Sequence, residues 1–141
     1  MRTIGVIGAG HVGLVTAACF AKLGNRVVCA DNDEQKIAGL HRMRMPFHEP
    51  GLKQLVVSGC RKGTLSFTTS VAELTEACEI IFIAVGTPST PDGRADLTFV
   101  EQSSMEIAST LARMAAAARH KRIYRLIVEK STVPVRTGDW V

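Results

Sequence analysis

The sequence holds no apolar run approaching the roughly 20 residues needed to cross a bilayer, and only 5% of its 141 residues are aromatic, with a single Trp and a single Tyr. The first absence excludes a membrane-spanning helix. The second weighs against a nucleic-acid binder despite the net charge of +4. The densest basic cluster, Arg119-His120-Lys121-Arg122 with Arg125, has no aromatic interleaving beyond Tyr124 and no nucleic-acid motif around it. Cysteine is present without pattern. Cys19, Cys29, Cys60 and Cys78 form no C-x-x-C and no Cys/His spacing suited to zinc, so no metal is expected. They read as reduced, mostly buried thiols, Cys19 on the apolar face of a helix and Cys29 inside a strand. Arg2 and Thr3 lead straight into a short strand rather than a signal peptide, and a cytoplasmic location is expected. No repeat, linker or low-complexity tract breaks the chain. With 46% hydrophobic and 21% charged residues, the composition is that of one globular domain, residues 1–141, able to bury a core without staples.

The residues present are organised around Gly8-Ala9-Gly10-His11-Val12-Gly13, which joins the apolar run Ile4 to Ile7 to a segment with helical periodicity. In a G-x-G-x-x-G between strand and helix, the first glycine permits the tight turn and the second lets backbone approach a pyrophosphate. The third lets the helix pack on the sheet. Free N–H groups at the helix start then face the anion. The helix carries Val12, Val15, Thr16, Cys19, Phe20 and Leu23 at i, i+3, i+4 spacing, read as its core face, and Gly24 ends it. Arg26 to Ala30 reads as the second strand of a βαβ unit. Asp31 closes that strand about 20 residues beyond the glycines, where a carboxylate accepts from ribose hydroxyls and repels a 2′-phosphate. This favours NAD over NADP. Asp31 can equally N-cap the next helix, with Glu34 completing a capping box. Lys36 either reaches the ribose or is solvated.

Met45 to Leu52 is a proline-rich turn leading to a helix through Leu55 and Val56, and His48 and Glu49 are read as turn residues rather than an acid/base pair. Leu65 to Thr68 is a short strand, Ser70 an N-cap, and Val71, Leu74 and Cys78 one helix face. Ile80 to Val85 has the unbroken apolar character of a central parallel strand. It ends in Gly86-Thr87-Pro88-Ser89, beside the glycine turn if the sheet is doubly wound, where Thr87 can touch a cofactor. A long helix follows with Leu97, Val100, Ser104, Ile107, Leu111 and Met114 on one face. Tyr124 to Val128 is the next strand, leading to Glu129-Lys130-Ser131-Thr132-Val133-Pro134-Val135. Ser131 and Thr132 there either bind a ligand or cap a helix begun by Pro134. Alternation of strands with helical segments gives the fold class: α/β, a Rossmann-like doubly wound parallel sheet in three αβα layers.

Taken together, the glycine turn through Thr16, Asp31, Glu49-Pro50-Gly51-Leu52, Val85-Gly86-Thr87-Pro88 and Lys130 to Val135 resemble the N-terminal domain of the UDP-glucose 6-dehydrogenase family of nucleotide-sugar dehydrogenases. The resemblance runs along the whole chain. His11 and His48 depart from it, since the family usually has aromatic residues there. It implies oxidation of the C6 alcohol of UDP-glucose to a carboxylate with two NAD, in a longer, homodimeric protein. It also implies cofactor contacts from Gly8, Ala9, Gly10, His11, Val12, Gly13, Asp31, Lys36, Gly86, Thr87, Ser131 and Thr132, with Thr132 also holding a water near the reacting carbon. The family's cysteine nucleophile, lysine and asparagine come from a later part of its longer chain, so the 141 residues by themselves are expected to bind NAD and do no chemistry. GDP-mannose and UDP-N-acetyl-hexosamine dehydrogenases share the pattern, and a non-catalytic nucleotide sensor is the alternative of another class.

Overall fold

The β-branched and apolar runs form five short parallel strands, and the segments between them form helices. The computed structural model describes residues 1–118 and 124–139. In chain order the elements are β1 (Thr3–Ile7), α1 (His11–Lys22), β2 (Arg26–Ala30), α2 (Glu34–His41), α3 (Leu52–Arg61), β3 (Leu65–Thr68), α4 (Val71–Ala77), β4 (Ile80–Ile83), α5 (Thr98–Ala117) and β5 (Leu126–Glu129). A single 3-10 turn, Thr137–Asp139, follows where Pro134 had suggested a helix. The basic cluster at 119–122 lies outside the described residues.

The sheet order is β3-β2-β1-β4-β5. After β3 the chain crosses to the other side of β1, so the order reverses between β1 and β4, the place where open α/β sheets bind ligands. Register fixes what meets there. Ile7 is level with Ala30 of β2 and with Ile83 of β4, and Ile83 is level with Glu129 of β5. Gly8, Asp31, Ala84 and Lys130 therefore leave the sheet side by side. One apolar core, with Val6, Leu14, Leu40, Val56 and Phe67, lies under α1, α2 and α3. A second, with Ile7, Leu74, Ile81, Ile83 and Ile107, lies under α4 and α5. This is the three-layer, Rossmann-like arrangement that the sequence pattern predicts.

Three local expectations are corrected. The buried face of α1 is Gly13, Leu14, Ala17, Ala18 and Ala21, while Val12 and Leu23 are exposed and so is Cys19. The phase follows from Gly13: a Cβ there would overlap the Gly8 carbonyl oxygen, so the helix lies against the sheet through Gly13, Leu14 and the alanines, and Val12 and Leu23 face outward. On α5 the buried positions are Val100, Ser103, Ile107 and Thr110. Leu97, Ser104, Leu111 and Met114 are only half-buried, and Ser103 can take a buried place because its hydroxyl is satisfied on the Phe99 carbonyl one turn back. β5 starts at Leu126, leaving Tyr124 outside the sheet and exposed.

Candidate functional site

Gly8 leaves β1 with φ +103, a value glycine tolerates and L side chains rarely adopt. Its backbone runs so close to the Ala84 carbonyl after β4 that a Cβ would overlap it. Gly10 is different. A Cβ there meets nothing within 4 Å, and no side chain caps the start of α1, whose first recurring bond is Leu14 N–H to the Gly10 carbonyl at 2.9 Å. A helix end with uncapped N–H groups facing open space suits a diphosphate.

Asp31 sits beside this turn. Its Oδ2 accepts from the Ala9 N–H at 2.7 Å and the Lys36 ammonium at 2.8 Å, and its Oδ1 accepts from the Asp33 N–H at 3.0 Å. The residue is 9% exposed. It does not cap α2: Asp33 does, accepting from the Lys36 N–H at 2.9 Å, because the chain needs two more residues to turn into the helix. Asp31 is thus free of helix duty, and Lys36 is its ion-pair partner rather than a solvated chain.

The loops after β4 and β5 converge on the same edge. Thr87 Oγ1 donates to the Thr132 carbonyl at 2.8 Å. Ser131 donates its N–H to the Ile83 carbonyl at 3.1 Å and to Glu129 Oε1 at 2.6 Å. These contacts join Ser131 and Thr132 to the neighbouring loop and strand, so neither is spent as a cap. A cleft of about 360 Å3 opens between the glycine turn, Asp31, Lys36, the segment Ala84 to Gly86, and α5, which contributes Phe99, Gln102, Ser103 and Glu106. Its size falls within the ~300–1,000 Å3 of small-molecule sites.

None of the buried thiols is poised as a nucleophile. Burial, reinforced by the Asp31 charge, pushes the Cys29 thiol up to about 12, and burial pushes Cys78 up to about 11. Burial also raises Cys60. Among the described residues no group of three or more His, Cys, Asp or Glu is placed to hold a metal ion, and no helix there is long and apolar enough to cross a membrane.

With this geometry established, residues 2–141 match the model of the UDP-glucose/GDP-mannose dehydrogenase family, NAD binding domain. The chain belongs to that family. This NAD-binding domain is 45% identical over 141 residues to the UDP-glucose 6-dehydrogenase TuaD of Bacillus subtilis, covering 100% of the chain and 28% of that protein. It is 46% identical over 139 residues to a UDP-glucose 6-dehydrogenase of Rhizobium meliloti, covering 98% of the chain and 30% of that protein. The chain thus spans under a third of these curated relatives. Among solved structures, a GDP-mannose dehydrogenase from Pseudomonas aeruginosa superposes with a TM-score of 0.89 at 34% identity, over 100% of this chain and 30% of that one.

The structure adds residues that sequence reasoning did not join. His11 Nε2 lies 2.8 Å from Glu49 Oε2, and the His11 ring stacks on Phe47 with centroids 4.5 Å apart. Glu49 thus pairs across 38 positions with the glycine turn instead of with its neighbour His48, a long-range contact that no local pattern announces. The α5 wall was equally hidden. Phe99, Gln102, Ser103 and Glu106 do share i, i+3, i+4 spacing, yet three of the four are exposed, so the pattern reads as a solvated face.

Proposed function

We propose that the domain holds NAD along the carboxyl edge of its sheet, within a longer, cytoplasmic and homodimeric protein that oxidises the C6 alcohol of UDP-glucose to a carboxylate. The observation that carries the reading is the buried Asp31 carboxylate, bonded to the Ala9 N–H inside the glycine turn. It sets a ribose acceptor and a diphosphate cradle in one rigid piece. Gly8, Ala9, Gly10, His11, Val12 and Gly13 supply that cradle, and Gly86, Thr87, Ser131 and Thr132 contact the cofactor from the adjoining loops. When bound, NAD accepts hydride, and two NAD used in turn match the four electrons between an alcohol and a carboxylate. Thr132, exposed on its loop, positions a water. None of the four cysteines lines the cleft, so the thiol nucleophile that a two-stage oxidation needs is assigned to the rest of the longer protein. A GDP-mannose dehydrogenase is the second reading, favoured by the superposition over 100% of the chain.

Titration with NAD and NADP tests the cofactor reading. Lys36 partly offsets the Asp31 charge, so the expected preference for NAD is about tenfold, the ratio given by roughly 1.4 kcal/mol. Equal affinities would overturn the role given to Asp31. The chain incubated with NAD and UDP-glucose is expected to form no NADH, and measurable NADH would place the chemistry inside it.

A further inference from the structure

The polar groups of the cleft fall into two sets. Asp31 and Lys36 hold each other, and the Ser103 hydroxyl is committed to the Phe99 carbonyl at 2.8 Å. Gln102 and Glu106, one turn apart on α5, line the same cleft. Among the described side-chain hydrogen bonds Glu106 enters only through its backbone carbonyl, which accepts from Ser109 Oγ at 3.0 Å. Its carboxylate is uncommitted. The apolar part of the lining is formed by Ile7, Val71, Val85 and Phe99, and Phe99 is 42% exposed although it is aromatic. A cleft lined by an exposed aromatic ring, aliphatic side chains and a free carboxylate suits a planar base that presents N–H donors.

We propose that Glu106 is a specificity-determining residue that reads the nucleotide base, accepting a hydrogen bond from the exocyclic amino group of adenine. The proposal rests on the nucleotide reading above and deepens it. An ionised carboxylate only accepts hydrogen bonds. A purine with an amino group at position 6 satisfies it, whereas a 6-oxo purine turns a carbonyl oxygen toward it. Hypoxanthine still carries a hydrogen on N1, and Glu106 is exposed. The discrimination is therefore several-fold, about three- to tenfold, in line with a single solvent-accessible hydrogen bond.

The test compares the dissociation constants of NAD and of nicotinamide hypoxanthine dinucleotide, by calorimetry, for the wild-type chain and for Glu106→Gln. The wild type is expected to prefer NAD about three- to tenfold. Glutamine keeps the length of the side chain and offers an NH2 donor to the 6-oxo group, so in the variant the two constants converge to within about twofold. A merely structural role for Glu106 would weaken both dinucleotides together and leave their ratio unchanged. Circular dichroism checks that the variant is folded. Equal binding of both dinucleotides by the wild type, or an unchanged ratio in Glu106→Gln, overturns the inference and leaves the NAD reading standing. Failure of the folded wild type to bind either dinucleotide overturns both.

Discussion

On the β1–α1–β2 side of the cleft the polar groups are buried and already bonded. Asp31 accepts from two backbone N–H groups and an ammonium, and the Gly8 backbone runs against the Ala84 carbonyl with no room for a side chain. Across the cleft, α5 presents Gln102 and Glu106 in solvent. The first wall exists whether or not a ligand arrives, since its groups complete one another and loss of any partner strands a buried one. The second has no such closed set of bonds among the described residues, since Gln102 and Glu106 are exposed. Changes to the first wall should therefore strike folding and binding together, while changes to the second should move only selectivity.

The most damaging test of the first wall is Gly13→Ala. The new Cβ overlaps the Gly8 carbonyl oxygen, and since that neighbour is backbone, α1 must lift from the sheet. Urea unfolding is expected to show a loss of about 3 kcal/mol, at the upper end of overpacking effects. Gly10→Ala is its control: the Cβ enters open space, so stability should stay within about 0.5 kcal/mol while NAD binding weakens. Equal destabilisation by the two would mean that the turn is not held by contact with Gly13.

Next in size is Asp31→Asn. An amide cannot neutralise Lys36 or accept from it and from Ala9 as a carboxylate does, so a buried N–H and a half-buried ammonium lose part of their partner. We expect a loss of about 2 kcal/mol and at least tenfold weaker NAD binding. Full stability with weakened binding would show that Asp31 serves the ligand alone.

This contrast also explains what could be read from the sequence. The glycine spacing, the placing of Asp31 and the apolar run Ile80 to Val85 are demands of backbone geometry and burial, and such demands leave a residue type at a fixed distance. Ser70 was legible for the same reason, since its side chain accepts the Glu73 N–H at 3.1 Å. The face of α1 was misread because apolar periodicity favoured large residues, whereas the Gly13 contact imposed a stripe in which glycine and alanines flank Leu14. Asp31 and Asp33, both next to a helix start, offered no local reason to choose between cap and ligand. The α5 wall and the His11–Glu49 contact depend on tertiary placement of exposed residues, which leaves no period behind.

The thiols report how firmly the first wall is closed. Cys29 is buried beside Asp31 while Cys19 is exposed, so a maleimide at pH 8 should label Cys19 rapidly, Cys60 more slowly, and Cys29 and Cys78 only on unfolding. Native-state labelling of Cys29 as fast as Cys19 would show the wall to be open. The folded protein keeps the buried pair neutral up to about 12 for Cys29 and about 11 for Cys78, against an ordinary 9.0. In the unfolded chain they ionise near that ordinary value. Their contribution is complete below it and falls as pH rises through it, by roughly 1 kcal/mol per thiol per pH unit. Replacing Cys29 with alanine should flatten the alkaline decline seen in chemical denaturation.

The smallest effect is expected where the two kinds of region meet, at His11 and Glu49. Their side chains are 63% and 39% exposed at 2.8 Å separation, and an exposed pair contributes at most about 0.5 kcal/mol once solvent and salt screen it. Phe47 also holds the His11 ring by stacking, so its position does not depend on the carboxylate alone. Glu49→Gln should therefore leave the thermal midpoint within about 2 °C and NAD affinity within about twofold. The informative result is the opposite one. A fivefold or larger fall in affinity at unchanged stability would mean that the connection from 42 to 51 orients His11 over the diphosphate cradle. The preformed wall would then extend beyond backbone and buried groups to an exposed side chain held from a distant loop.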